Sequence, residues 1–234
     1  MVLIPKFNQI DSFWIDKNLV TVADFRKFVK ATQFITEAEK FGDAGFFDIK
    51  TGQWNLKKEA NWEFPLGRDF PKASDNHPVT QVSWNDAVAY CKWVGKRLPT
   101  QAEYELAANN GENGISQIYS WGKTDEENGK YKGNFWQGSF PMVSIVKDGF
   151  QYTSPVGYFG KTEIGLTDMG GNVWQWTADW SKEKPDEKIQ TGGSFLCDKA
   201  VCHGYKIGNT ASSTPETSLM HVGFRAVKSA INLN

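Results

Sequence analysis

Apolar residues along this chain fall into a few helical periods, separated by long stretches in which no period is sustained. Residues 10–16, IDSFWID, predict a short strand with Phe13 and Ile15 on one face. Thr21 precedes Asp24 by three positions, the pattern in which a hydroxyl and an acid satisfy the exposed N–H groups at a helix start. Phe25, Phe28 and Val29 follow at helical spacing and predict a helix over about 22–32. From 36 to 78, Gly, Asn, Asp and Pro interrupt every run, while Phe46, Phe47, Trp54, Trp62 and Phe64 recur. That is too aromatic for disorder. It reads as a long ordered loop region packed over the core.

The clearest periodicity lies in residues 79–111. Ser83 and Asp86 repeat the capping pattern, and Trp84, Ala87, Val88, Cys91 and Val94 then share one helical face until Gly95 stops it. Thr100 and Glu103 open another helix, through Leu106 to about Ala108. From 118 onward the pattern is short strands and turns, and alternation puts Trp174, Trp176 and Trp180 on one side of an extended strand, where core packing is the ordinary explanation. No repeat or linker divides the chain. The expectation is one α+β domain over residues 1–234, with little regular secondary structure.

Composition sharpens this. Aromatics make up 14% of 234 residues, with 10 Trp and 16 Phe, so the core should be ring-rich, and 22 glycines favour turns over long helices. A net charge of −1 without a basic block gives no reason to expect nucleic acid or an anionic membrane surface as partner. No window approaches the apolar length of a membrane span. The opening MVLIPKFNQIDSFW lacks the charged and apolar regions of a secretory signal, and 3 cysteines do not make a disulfide framework, so a cytoplasmic location is expected.

Two of those cysteines, Cys197 and Cys202, stand close together in Thr191–Arg225. Their spacing does not suit one helix face, and Gly192, Gly193 and Gly204 place them on a loop or strand end. Two thiols there could be a bridge, a clamp for one soft ion such as Cu(I), or two unremarkable small residues; zinc would need further ligands, and although His203 is adjacent, His77 and His221 are isolated and show no ligand spacing. Cys91, on the apolar face of a helix, reads as core. A second set is oxygen-rich: Asn134-Phe135, Asp148-Gly149-Phe150 and Asp168-Met-Gly-Gly171-Asn-Val173-Trp-Gln175. Carboxylates, amides and glycine-exposed carbonyls suit Ca²⁺, and they equally suit ordinary turns.

With these motifs in order, TEAEKFGD (36–43), HPVTQVSWNDAVAYCKWVGKRLPTQAEYE (77–105), GNFWQGSFP (133–141), DGFQYTSPVG (148–157), GLTDMGGNVWQWTADW (165–180) and GGSFLC…C…TPE…GFR (192–225), the chain resembles the formylglycine-generating enzymes, or sulfatase-modifying factors, from about 10 to 227. The resemblance implies that superfamily's C-type-lectin-like fold. It also implies an oxidase that uses O₂ and Cu(I) to convert a cysteine of a client polypeptide to Cα-formylglycine. Cys197 and Cys202 would be the catalytic thiols and copper ligands, and Ser194 and Trp174 would line the oxygen pocket. Asn134, Phe135, Asp148 and Phe150 would hold one Ca²⁺, and Asp168, Gly171, Val173 and Gln175 a second. A monomer is expected.

The departures from the family pattern are informative. Ala226 stands opposite Cys91, and Ala108 opposite Ile207, where secreted animal relatives have two disulfides. Gln175 replaces a common Glu. Val201, Asn209, Thr210 and His221 replace residues bordering the peptide groove, so the chemistry looks retained while the client is open. Two alternatives follow: the same chemistry on another thiol client, or a non-catalytic lectin-like module for peptide or glycan. An iron-dependent sulfoxide synthase of the same superfamily would need more histidines than the 3 present.

Overall fold

The computed structural model describes residues 1–111 and 117–230. The chain opens with β1 (Val2–Ile4) and β2 (Phe13–Ile15), followed by α1 (Val22–Thr32), α2 (Glu37–Phe41), β3 (Asp43–Asp48) and β4 (Gln53–Lys58). Next come α3 (Trp84–Trp93) and α4 (Gln101–Ala108), then the two-residue strands β5 (Glu126–Glu127), β6 (Lys130–Tyr131), β7 (Gly138–Ser139) and β8 (Val143–Ser144). The C-terminal part supplies β9 (Trp174–Trp180), β10 (Lys188–Thr191), β11 (Thr210–Ser213), β12 (Val222–Gly223) and β13 (Val227–Ser229). Two sheets organise them, in the orders β1-β2-β13 and β11-β10-β9-β12; the other strands form three hairpins. The result is a mixed α and β fold with few helices.

Local chemistry explains the helix starts. The Asp24 amide donates to Thr21 Oγ1 at 3.1 Å. Reciprocal capping boxes form at Ser83/Asp86 and Thr100/Glu103, each satisfying two N–H groups that a helix start otherwise leaves open. Phe13 and Ile15 are buried as their alternation requires. In α3 the buried face is Asp86, Ala87, Tyr90 and Cys91, while Trp84, Val88 and Val94 sit half-buried at its edges.

Two sequence expectations need correction. Residues 36–78 are not all loop: Thr36 and Glu39 form a third capping box that starts α2, and β3 and β4 pair over six positions, Asp43 with Lys58 through Asp48 with Gln53. β3 is buried at four consecutive residues and β4 is exposed at nearly all of its own, so neither shows the period-two alternation that marks a strand. The tryptophan stripe is also shorter than expected. Trp174 and Trp176 are buried, but Trp180 is 52% exposed at the strand end, where Lys188 Nζ lies 3.7 Å from its ring centroid and 4.1 Å from that of Trp84.

The main core is aromatic. Phe25, Phe28, Trp62, Tyr90, Trp174, Trp176, Tyr205 and Phe224 pack in one cluster, with Phe25 stacked on Tyr90 at 5.9 Å and Tyr90 edge-on to Phe224 at 5.4 Å. Such pairs add to the stabilisation that burial of the rings supplies. Cys197 belongs to the same cluster, so the loop after β10 is set against the rigid core.

Candidate active site

β10 ends at Thr191, and Gly192 and Gly193 carry the chain through two left-handed turns, with φ of 89° and 68°. Only glycine adopts that region without strain. Cys197 follows, 2% exposed, with its amide bonded to the Ser194 carbonyl at 2.9 Å and its carbonyl accepting from the Trp136 amide at 3.1 Å. The chain then returns so that Cys202, on the surface, brings its Sγ to 2.7 Å from Cys197 Sγ. The Ser194 amide lies 3.4 Å and Ser194 Oγ 3.9 Å from Cys197 Sγ, and the Gly204 amide donates to Cys202 Sγ at 3.2 Å. A Cβ at Gly204 would stand 2.8 Å from Cys197 Sγ and 2.5 Å from the Trp174 ring, so this close approach excludes a side chain. The four residues expected to work together, Cys197, Cys202, Ser194 and Trp174, are brought into one place.

Their electrostatics are unequal. Burial pushes the Cys197 thiol well above the ordinary thiol range, and the neighbouring Cys202 pushes it further. The hydrogen bond with Cys197 lowers the Cys202 thiol, helped by the Gly204 amide and opposed by burial. One proton shared between the sulfurs therefore stays on the buried partner, and Cys202 carries the first negative charge. Cys91 sits apart in the core, its thiol pushed up to about 12 by burial, which makes it unreactive at neutral pH.

The oxygen-rich turns behave differently from each other. At the first, Phe135 O and Asp148 Oδ2 both face Gln137 Nε2, the latter at 2.8 Å. Asp148 Oδ1 accepts from the Phe150 amide at 3.0 Å. Asn134 Oδ1 is buried with no partner, and burial raises the Asp148 carboxyl above its ordinary value. A buried carboxylate that no cation neutralises among the described residues, together with an orphaned amide oxygen on the residue before Phe135, fits a hard cation.

The second turn does not fit one. Gln175 Oε1 accepts from Arg225 Nε at 2.6 Å, while Gln175 Nε2 donates to the Asp168 carbonyl at 2.8 Å and to Tyr104 Oη at 3.0 Å. The Asp168 carboxylate already takes the Gly157 amide, Thr167 Oγ1 and Asn172 Nδ2. Arg225 is fully buried, and its remaining N–H groups meet the carbonyls of Asp16, Lys17, Thr167 and Asp168 at 2.7 to 3.2 Å. A guanidinium supplies the positive charge there and occupies Gln175 Oε1, and the Asp168 carboxylate is already held by three donors.

Cys91 and Ala226 share one buried cluster, and Ala108 and Ile207 share another. Val201 is 66% exposed beside Cys202. His221 packs 5.0 Å from the Trp54 ring with its Nδ1 sealed from solvent and unpaired. Asn209 closes back onto the His203 carbonyl at 2.9 Å, and Thr210 opens β11. Sequence reasoning passed over Asp198, although an Asp directly before a short loop is a local turn signal.

A family model described as the sulfatase-modifying factor enzyme 1-like domain matches residues 5–230. The chain belongs to the formylglycine-generating enzyme family. Within it, the chain is 39% identical to the formylglycine-generating enzyme of Mus musculus over 92% of its own length and 66% of that protein's, so it spans about two thirds of that relative. It is 37% identical to the enzyme of Streptomyces coelicolor, covering 93% of the chain and 78% of the relative. The protein named inactive Cα-formylglycine-generating enzyme 2 of Mus musculus is 36% identical over 94% and 76%. Active and inactive members thus stand at similar identity, and overall similarity does not separate them. Among solved structures, PvdO from Pseudomonas aeruginosa matches with a TM-score of 0.67 at 22% identity, covering 94% of this chain and 81% of that one, a likeness of fold.

Proposed function

We propose that this chain is a formylglycine-generating oxidase: it converts a cysteine of a client polypeptide to Cα-formylglycine with O₂, at a Cu(I) ion held by Cys197 and Cys202. The observation that carries the reading is the convergence of one buried and one exposed sulfur, 2.7 Å apart. Among the described residues no group of three or more His, Cys, Asp and Glu forms a harder metal site. Two sulfurs alone suit a soft, low-coordinate ion. When bound, copper would supply a thiophilic centre able to pass electrons to O₂. The chain's own residues do the rest. Cys197 is the fixed anchor, held by the Ser194 amide. Cys202, on the surface, is the sulfur that a client thiol can reach. The Trp174 ring, Gly204 and Ser194 wall the buried side and keep water from it.

The reaction balances with an external thiol as reductant. The client CH₂SH becomes CHO and releases its sulfur as H₂S; two external thiols join as a disulfide, giving up two electrons, and O₂ ends as the aldehyde oxygen and water. Ca²⁺ at Asn134, Phe135, Asp148 and Phe150 would neutralise the buried carboxylate and fasten the turn in which Phe135 stacks on Tyr205 at 4.3 Å, the residue after Gly204. The absence of thiols at positions 226, 108 and 207 supports a reducing compartment.

One second reading has its own support. Exposed Val201 and half-buried His221 change the border of the site, which favours a thiol client other than the sulfatase motif. A reduced, Cu(I)-loaded sample under air should form an aldehyde, read by mass spectrometry, on a Cys-x-Pro-x-Arg peptide or on another member of a thiol panel. Cys197→Ser and Cys202→Ser should abolish it and Cys91→Ser should not. If no thiol is converted, the oxidase reading fails and the non-catalytic module takes its place.

A further inference from the structure

Four consecutive backbone amides, those of Ala200, Val201, Cys202 and His203, donate to a single residue. Asp198 Oδ1 takes Ala200 at 2.7 Å and Val201 at 3.0 Å, and the Asp198 carbonyl takes Cys202 at 3.1 Å and His203 at 2.8 Å. The next amide, of Gly204, turns to Cys202 Sγ. Residues 198–203 lie between β10 and β11, with no strand or helix to hold them. Their other side-chain ties are the ion pair of Lys199 with Asp125 at 2.9 Å, whose lysine is 61% exposed and which contributes little, and two at the far end of the turn: His203 Nε2 with Tyr119 Oη at 2.8 Å and Asn209 Nδ2 to the His203 carbonyl at 2.9 Å.

We infer that Asp198 is a positioning residue that fixes how closely Cys202 approaches Cys197, by serving as the acceptor around which the whole intervening turn is wound. The residue is 8% exposed, and its Oδ1 is committed to the turn. The amides of Ala200 and Val201 ask for a side-chain acceptor at this place. Asparagine would supply the same acceptor. Alanine would not, and glutamate would move it one methylene away.

This refines the copper-dithiol reading, yet its test needs neither copper nor client. The reduced protein is equilibrated in glutathione buffers, where Cys197 and Cys202 lose their two S–H protons, form one S–S bond and pass two electrons to oxidised glutathione, giving two molecules of glutathione. The disulfide fraction, trapped by alkylation and read by mass, reports how often the sulfurs meet. Asp198→Asn should keep the exchange constant within about twofold of the parent. Asp198→Ala and Asp198→Glu should each lower it by about tenfold or more, as expected when two hydrogen bonds that organise a loop are lost. An unchanged constant in Asp198→Ala, or an equal loss in Asp198→Asn, would overturn the inference. Should the alanine variant not fold, the Asn and Glu variants decide: glutamate matching the parent also overturns it. Failure of copper binding or turnover with this pattern intact would count against the oxidase reading alone.

Discussion

His221 offers a stability test that depends on one side chain. Its ring lies between Trp54 and the core, Nδ1 has no partner, and no charged group acts on it; burial alone pushes its pKa down from 6.5 to about 3. The sign follows from linkage. Above pH 6.5 the ring is neutral in both folded and unfolded chains and costs nothing. Below 6.5 the unfolded chain takes up a proton that the folded chain refuses until about pH 3, so stability falls as pH falls through that window. Each pH unit is worth about 1.4 kcal/mol, so at pH 5 the loss is about 2 kcal/mol, an upper value because the residue is half-buried. For a chain of this length that corresponds to about 4–8 °C in Tm. His221→Asn removes the titration. From pH 7.5 to 4.5 the Tm of the parent should therefore fall relative to that of the variant by about that amount, whatever their offset at neutral pH. His77 and His203, also depressed by burial, remain in both proteins and cancel. Parallel Tm–pH curves would refute a His221 held neutral by burial.

Other outcomes follow from the same geometry. Calcium titration followed by metal analysis should find one ion per chain, absent in Asp148→Asn; two ions would contradict the assignment of the second turn to Arg225. Arg225→Lys keeps the charge but has three donors for five acceptors, so at least two of these hydrogen bonds are lost even though the Lys17 and Asp168 carbonyls keep the Thr167 amide and Gln175 Nε2; the loss should be about 1–3 kcal/mol, read by denaturant unfolding; a loss well under about 1 kcal/mol would count against that network. Gly204→Ala should destabilise by about 1–3 kcal/mol and abolish turnover, because the added methyl displaces the Trp174 ring and Cys197 Sγ; near-parental activity would show that the packing there is loose.

What could be read in advance was mostly local. The caps at Ser83/Asp86 and Thr100/Glu103 lie within three residues, so sequence shows both partners at once. α2 has the same box, but its five residues are too few to display a period, and the surrounding Gly and aromatic residues masked it. β3 and β4 escaped because one is buried throughout and the other exposed. At the site, spacing alone left Cys197 and Cys202 undecided among bridge, clamp and chance. Their approach depends on the turn around Asp198 and on the space at Gly204, which emerge only when the chain closes. The second oxygen-rich turn misleads for a similar reason: Arg225 lies 50 residues beyond Gln175 and fills its acceptor from across the fold.

The proposed chemistry requires Cys197 and Cys202 to form a copper centre. Titration of the reduced protein with Cu(I) under anaerobic conditions tests that most directly. The parent and Cys91→Ser should each take up one equivalent tightly, and Cys197→Ser and Cys202→Ser none. Copper retained by either of the latter variants, or lost from Cys91→Ser, would contradict it.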